Sequence, residues 1–337
     1  MNRFEYIRAA SVADAVTALQ HPGAKLLAGG TNLVDLMKYG VMRPSRIVDI
    51  NRLPLTAIEE LPDGGLRLGA LTTNADVAID RRVRDRAPLL AAAILAGASA
   101  QLRNAATTAG NLLQRTRCMY FYDPTMPCNK REPGAGCSAL HGVNRMHAIL
   151  GASEHCIAVQ PSDMCVALAA LAARVNVVGP NGQRTIGIAE FHRLPDDRPD
   201  VDTTLAPDEV ITSVDVPGWR FGEHYTYLKI RDRLSYAFAL VSVAVGFEMR
   251  DNRITAACVA LGGVAHKPWR SAAAEAVLTG AEPRRALYGQ AADVVLDGAT
   301  GFPGNRFKIE LARRTLVRAL EQAAAATPQS QSDKRVR

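Results

Sequence analysis

The 337-residue chain has no apolar run approaching the roughly 20 residues that a membrane span requires. Its opening residues, Met1-Asn2-Arg3-Phe4-Glu5-Tyr6, lack the basic and then apolar regions of a secretory signal, so no export address of its own is expected. It also lacks a basic stripe interleaved with aromatics. The formal charge of +7 comes from arginines scattered over many segments, which argues against nucleic acid and leaves anionic cofactors or acidic proteins as partners. Paired Cys-x-x-Cys spacings of the zinc-ribbon kind are absent as well. What remains is a hydrophobic content of 48% and a mean hydropathy of −0.02, the composition of a soluble globular protein with room for two or three domains.

The most informative stretch is Lys25-Leu26-Leu27-Ala28-Gly29-Gly30-Thr31-Asn32-Leu33. An apolar strand-like run stops at two glycines, and a helical pattern starts at Leu33. Glycine reaches positive φ without steric cost, so successive N–H groups of Gly29 and Gly30 can face one anion, with Thr31 and Asn32 adding donors. An ordinary turn capped by Thr31 or Asn32 is the alternative. The later run Thr107-Thr108-Ala109-Gly110-Asn111 repeats this chemistry, and two such patches can hold the two phosphates of one dinucleotide.

In chain order, residues 1–56 alternate strand and helix: strands at 4–7, 24–28 and 46–50, and helices at 11–19 and 33–37. Residues 57–205 form a second unit. It opens with a hairpin around Pro62-Asp63-Gly64-Gly65, continues with helices at 74–79 and 88–96, and has a small-residue irregular stretch at 98–113. Pro161-Ser162-Asp163 then opens a helix to 171, followed by a hairpin through Gly179-Pro180-Asn181-Gly182. Residues 206–326 bring strand patterns at 210–216, 225–230, 237–247 and 254–261, then helices at 272–278 and 308–326. That succession describes an α+β domain with a largely antiparallel sheet. A polar tail, 327–337, is expected to be disordered.

Four of the six cysteines, Cys118, Cys128, Cys137 and Cys156, fall in a loop-rich insertion at 114–157, separated by nine, eight and eighteen residues. Four thiolates without regular pairing suit a 4Fe–4S cluster, whose ligands need only converge on one cuboidal core. Zinc, with His141, His147 and His155 as further donors, is the rival, and disulfides are the structural alternative.

Leu27-Ala28-Gly29-Gly30-Thr31-Asn32-Leu33, Thr107-Thr108-Ala109-Gly110-Asn111 and Pro161-Ser162-Asp163-Met164, in that order, resemble the FAD-binding subunits of molybdenum hydroxylases, the xanthine dehydrogenase and carbon monoxide dehydrogenase flavoprotein family. The resemblance implies a two-part FAD-binding domain of PCMH type, followed by a CO dehydrogenase flavoprotein C-terminal-like α+β domain. With its four-cysteine insertion the chain is most similar to FAD subunits of bacterial periplasmic aldehyde oxidoreductases that carry a 4Fe–4S cluster. Asn111-Leu112-Leu113-Gln114-Arg115-Thr116-Arg117-Cys118 and residues 231–240 carry that closer match. The resemblance implies that Leu26 to Leu33 and Thr107, Thr108, Gly110 and Asn111 cradle the FAD pyrophosphate. It also implies that Asp163 accepts from the flavin's sugar-like chain, and that Ile211 and Lys229 contact flavin from the second domain. The family's 2Fe–2S cysteines and molybdopterin-binding segments are missing from the sequence. A 2Fe–2S small subunit and a molybdopterin-binding large subunit are therefore implied as partners, with an external electron acceptor. Export of a folded complex on a partner's signal to the periplasm is implied, with the cytoplasm as the alternative. A free-standing flavin oxidase and a zinc-stapled scaffold subunit are the rival functions.

Overall fold

In the computed structural model, which describes residues 1–333, three sheets order the chain. The first is parallel, in the order β1-β3-β2, with β1 at Glu5–Arg8, β2 at Ala24–Leu27 and β3 at Arg46–Asp49. Helix Val12–Leu19 links its first two strands. Ser11 caps this helix by accepting from the Asp14 N–H, and Ala15, Val16 and Leu19 form its buried face. Helix Leu33–Lys38 follows the glycine turn.

The second sheet holds β4 (Ile58–Glu60), β5 (Leu66–Gly69), β6 (Arg174–Gly179), β7 (Gly182–Gly187) and β8 (Val210–Val216) in the order β4-β5-β8-β6-β7. All of its pairs are antiparallel. The expected unit boundary at residue 206 therefore falls too early, because β8 is inserted between β5 and β6. Arg67 on β5 fixes that pairing through two 2.8 Å bonds to the carboxylate of Asp215 on β8. Helix Pro88–Ala96, apolar around its whole circumference, lies buried over this unit.

The third sheet runs β12-β11-β10-β9, antiparallel, with β9 at Tyr225–Ile230, β10 at Val241–Arg250, β11 at Arg253–Gly262 and β12 at Trp269–Arg270. Helices Pro88–Ala96 and Asp163–Ala170 cover one face, and helix Phe307–Ala324 the other. Val241 to Phe247 are consequently all buried, and the strand reads as a continuous apolar run instead of an alternation. Tyr227, Ala244, Cys258 and Ala260 belong to the core of the second unit, so the two units share a packed boundary. The expected strand at 237–247 begins later, at Val241, because the chain turns through Tyr236 at φ +51°.

Two other expectations change. The stretch at 98–113 is not irregular: it holds helices Ala100–Arg103 and Thr108–Leu112, each started by a hydroxyl cap, Ser99 and Thr107. Of the tail expected to be disordered, residues 334–337 lie outside the described residues. Gln329 and Gln331 are tied to β9, through Thr226 Oγ1 at 2.9 Å and the Tyr227 carbonyl at 3.1 Å. Among the described residues no helix is long and apolar enough to cross a membrane.

Candidate functional site: a cleft and a four-cysteine cavity

The turn after β2 depends on its glycines. Gly30 sits at φ +71°, and a Cβ on Gly29 would stand 1.7 Å from the Ala105 carbonyl oxygen. The turn backbone therefore lies directly on residues 105–106, which brings the two patches together. Gly30, Thr31 and Asn32 form one wall of a cleft of about 740 Å³, with Gly110 and Asn111 on another. This is the size of a cofactor site. Leu26, Leu27, Ala28, Gly29 and Leu33 support the wall from behind. Asn51 Nδ2, for example, donates to the Ala28 carbonyl at 3.2 Å. Thr107 and Thr108, expected as ligand contacts, are buried. Thr107 caps the helix it precedes, and the Thr108 hydroxyl donates to the Thr72 carbonyl at 3.0 Å.

Asn111 is fixed on every side. It donates to Asn74 Oδ1 (2.7 Å) and accepts from Ser162 Oγ and Gln114 Nε2 (both 2.6 Å). Asn32 differs. Its Oδ1 accepts from the Arg115 N–H at 2.9 Å, but its buried Nδ2 has no partner among the described residues. A buried, unpaired donor on a cleft wall is the mark of a polar ligand.

Asp163 opens helix Asp163–Ala170 beneath the cleft. Its oxygens accept from Tyr227 Oη and Lys229 Nζ, both at 2.7 Å, and Lys229 also donates to the Ala96 carbonyl at 3.2 Å. The Lys229 and Asp163 side chains are only 3% and 8% exposed. Such a pair is costly to break, because the survivor is left as an uncompensated buried charge. Burial, reinforced by the Asp163 charge, raises the Tyr227 hydroxyl well above its ordinary value, so it stays a donor. The expected role of Asp163 thus meets a carboxylate already engaged by two of the chain's own donors. Lys229 lies on the cleft wall as expected. Ile211 does not: it is buried in β8, a middle strand with neighbours on both sides, and faces core.

Cys118, Cys128, Cys137 and Cys156 all line one small internal cavity. It measures only about 10 Å³, and the Cys137 and Cys156 thiols interact with each other at its wall. The sulfurs are otherwise met by backbone donors. Tyr120 and Phe121 N–H groups face Cys118, those of Ala139, Leu140 and Ile157 face Cys137, and that of Ala158 faces Cys156. The hydrogen bond from Cys156 and these N–H groups outweigh burial and bring the Cys137 thiol down to about 6. Cys156 is raised by the same bond and by its burial. Burial pushes Cys118 up to about 11. Lys130, itself buried beside the cavity, favours the Cys156 anion and is anchored on Asp202 at 2.5 Å. Amide N–H groups at three of the sulfurs and a buried cation favour thiolates, against the burial that raises Cys118 and Cys156.

All six cysteines are free thiols, which removes the disulfide alternative. Among the described residues no group of three or more His, Cys, Asp or Glu side chains is arranged to hold a metal ion. Of the three histidines weighed for zinc, His141 is exposed and His155 pairs with Glu154 at 3.6 Å. His147 alone touches a cysteine, with Nε2 at 3.1 Å from Cys118 Sγ. Cys118 and Thr116 line both the cavity and the cleft. The insertion is tied to the first unit as well, since Arg117 and Tyr122 both reach Asp35 on helix Leu33–Lys38, at 3.2 and 3.0 Å.

Two family models match the chain: FAD binding domain in molybdopterin dehydrogenase over residues 2–219, and CO dehydrogenase flavoprotein C-terminal domain over residues 225–323. The chain belongs to the FAD-binding subunits of the molybdenum hydroxylases. The two matches meet between β8 and β9, where the sheet order also divides the units. The subunit is 50% identical to the aldehyde oxidoreductase FAD-binding subunit of Escherichia coli, over 96% of this chain and 99% of that one. It is 28% identical to the carbon monoxide dehydrogenase medium chain of Hydrogenophaga pseudoflava, over 96% and 98% of the two chains. The solved carbon monoxide dehydrogenase of H. pseudoflava that lacks the Mo-pyranopterin moiety superposes with a TM-score of 0.76 at 27% identity, covering 96% of this chain and 98% of that one. The cleft fits the FAD of this family. The contact of Gly29 with residue 105 lets backbone approach a pyrophosphate, and the spare Asn32 donor is available to it.

Sequence reasoning missed Asn74, Tyr227 and Lys130 as parts of this site. Tyr227 had a signal, since it stands two residues from Lys229 on a strand and so shares its face. Asn74 and Lys130 had none, because their partners, Asn111 and Asp202, are 37 and 72 residues away.

Proposed function

We propose that this subunit carries FAD and a 4Fe–4S cluster as the electron-transfer subunit of a heteromeric, molybdenum-dependent aldehyde oxidoreductase. In this reading it works between 2Fe–2S clusters on a small partner and an external acceptor, with the molybdopterin on a large partner. The observation that carries the reading is the convergence of four cysteines on one cavity whose wall, Cys118, is also a wall of the FAD cleft. Identity of 50% along nearly the full length of an E. coli aldehyde oxidoreductase subunit supports the substrate class and the partners.

When bound, FAD supplies two-electron and the cluster one-electron redox chemistry. The residues here bind and tune. Gly30 to Asn32 would hold the pyrophosphate by backbone donors and the spare Asn32 amide, against a facing wall at Gly110 and Asn111 whose own donors are already engaged. Lys229, paired with Asp163 and 3% exposed, fixes a buried charge at the cleft wall. Cys118, Cys128, Cys137 and Cys156, which line one cavity, would be the cluster ligands. No side chain is assigned as a general base. We place the complex in the periplasm, exported folded on a partner's signal, and fractionation of cells making the whole complex tests that placement.

The isolated chain should hold FAD near one per chain and oxidise no aldehyde, whereas the assembled complex should oxidise it. Gly30→Asp, which forces a side chain into a left-handed turn against Val34 and adds a negative charge to the anion-facing wall, should abolish flavin binding. Turnover of a small substrate by the isolated chain would favour a free-standing flavin oxidase instead.

A further inference from the structure

His147, weighed above only as a zinc donor, belongs to neither the FAD nor the 4Fe–4S ligands, yet it stands beside Cys118, where the two cavities meet. Its ring lines the cleft, and its Nε2 lies 3.1 Å from Cys118 Sγ. Among the described residues it is the only side chain other than a cysteine in hydrogen-bond contact with one of the four sulfurs. We propose that His147 is a positioning residue that donates Nε2–H to the Cys118 sulfur and thereby sets the reduction potential of the cluster bound there.

The tautomer follows from the chemistry. A cluster-bound thiolate only accepts, so with the cluster in place the nitrogen facing it must carry the proton. Nδ1 is then a bare lone pair, which agrees with its having no partner among the described residues. The opposite tautomer would bury an unpaired N–H and turn a lone pair toward the sulfur, two penalties at once. The backbone that carries the ring is held from the third unit. Asn305 Nδ2 and Lys308 Nζ, at the start of helix Phe307–Ala324, both donate to the His147 carbonyl, at 3.2 and 2.7 Å. Lys308 also donates to the Gly263 carbonyl at 2.6 Å, so one buried ammonium joins the insertion to β11's end. A hydrogen bond to a ligand sulfur withdraws negative charge from it and stabilises the reduced cluster more than the oxidised one. Its removal therefore lowers the potential.

The inference rests on the 4Fe–4S reading above, and its test separates the two. Full-length wild type, His147→Leu and His147→Gln are purified anaerobically. Iron is counted, and the cluster's midpoint potential is read by EPR-monitored redox titration. Wild type should hold about four irons per chain. His147→Leu, which has no donor, should show a more negative midpoint, and His147→Gln, which keeps an N–H, should stay closer to wild type. Loss of iron from His147→Leu alone also supports the donor role. Wild-type midpoints in both variants at full iron content would overturn the inference while leaving the cluster reading intact. Loss of iron from both would overturn it by making the ring a packing element, and iron-free wild type would overturn both readings.

Discussion

The cleft and the cysteine cavity share Cys118 and Thr116 but are built from opposite materials. The cleft is a backbone device. One wall is a turn whose shape is dictated by missing side chains at Gly29 and Gly30, the facing wall is the start of helix Thr108–Leu112, and the cleft is open at about 740 Å³. The cavity is a side-chain device. It has four thiols brought together from a loop-rich insertion around a volume of only about 10 Å³. A backbone site is made before its ligand arrives and tolerates no added atoms. A site of four side chains depends on each thiol separately and leaves the backbone behind it free to adjust. The two should therefore fail differently when disturbed.

The largest effect is expected from Gly29→Ala. The new methyl would sit 1.7 Å from the Ala105 carbonyl, backbone against backbone, with no flexible group to yield. The two turns must separate, at a cost above about 4 kcal/mol, the range of severe packing faults. Flavin absorbance per chain should drop to background, and retention of stoichiometric flavin would show that the turns are not one cradle.

Next is the buried pair under the cleft. Lys229→Met strands the Asp163 carboxylate with only the Tyr227 hydroxyl, and the unfolding free energy from denaturant titration should fall by about 3–5 kcal/mol. Asp163→Asn combined with Lys229→Met should recover part of that loss. A strictly additive double variant would mean that the two residues are not coupled.

Acid should act on the region joining the two sites through its buried histidines. Burial lowers His192 to about 4 and His266 well below its usual value, so both are neutral in the folded chain at pH 5. Their unfolded counterparts take up protons below about 6.5. The unfolded state then binds more protons than the folded one, and stability falls as pH drops from about 6.5 toward 4, by on the order of 3 kcal/mol for His192. Denaturation midpoints at pH 7 and pH 5 measure this. A flat profile in that window would contradict the neutral assignment.

The smallest effect belongs to Ser162, which caps helix Asp163–Ala170 and donates to Asn111 at 2.6 Å. Ser162→Ala should cost about 1 kcal/mol and weaken flavin retention slightly as Asn111 loosens, while leaving iron content unchanged.

The same contrast explains what could be read from the sequence. Gly29 and Gly30 announce themselves because no other residue tolerates their geometry, and the clustering of four cysteines is visible as spacing. Ser11, and the hairpins at Gly64 and at Gly182, were likewise local facts of capping and turn chemistry. What stayed hidden depends on partners far along the chain. The place of β8 between β5 and β6 is set by a pairing between Arg67 and Asp215, 148 residues apart, and that pairing is what puts Ile211 in the core and not in the cleft. Thr107 and Thr108 resemble ligand donors in composition, but their hydroxyls are consumed by a helix start and by Thr72. Helices Arg81–Arg86 and Arg285–Val295 were not anticipated, the first because it is short and charged, the second because Gly289 interrupts its pattern.

The central claim is that one chain holds flavin and an iron–sulfur cluster in adjoining but separately built sites. Counting iron, acid-labile sulfide, zinc and flavin in the anaerobically purified chain, beside its Cys137→Ala variant, tests it most directly. The account predicts about four irons and four sulfides with one flavin per chain, and a variant that loses the iron but keeps the flavin. Flavin without iron, or one zinc in place of iron, would contradict it.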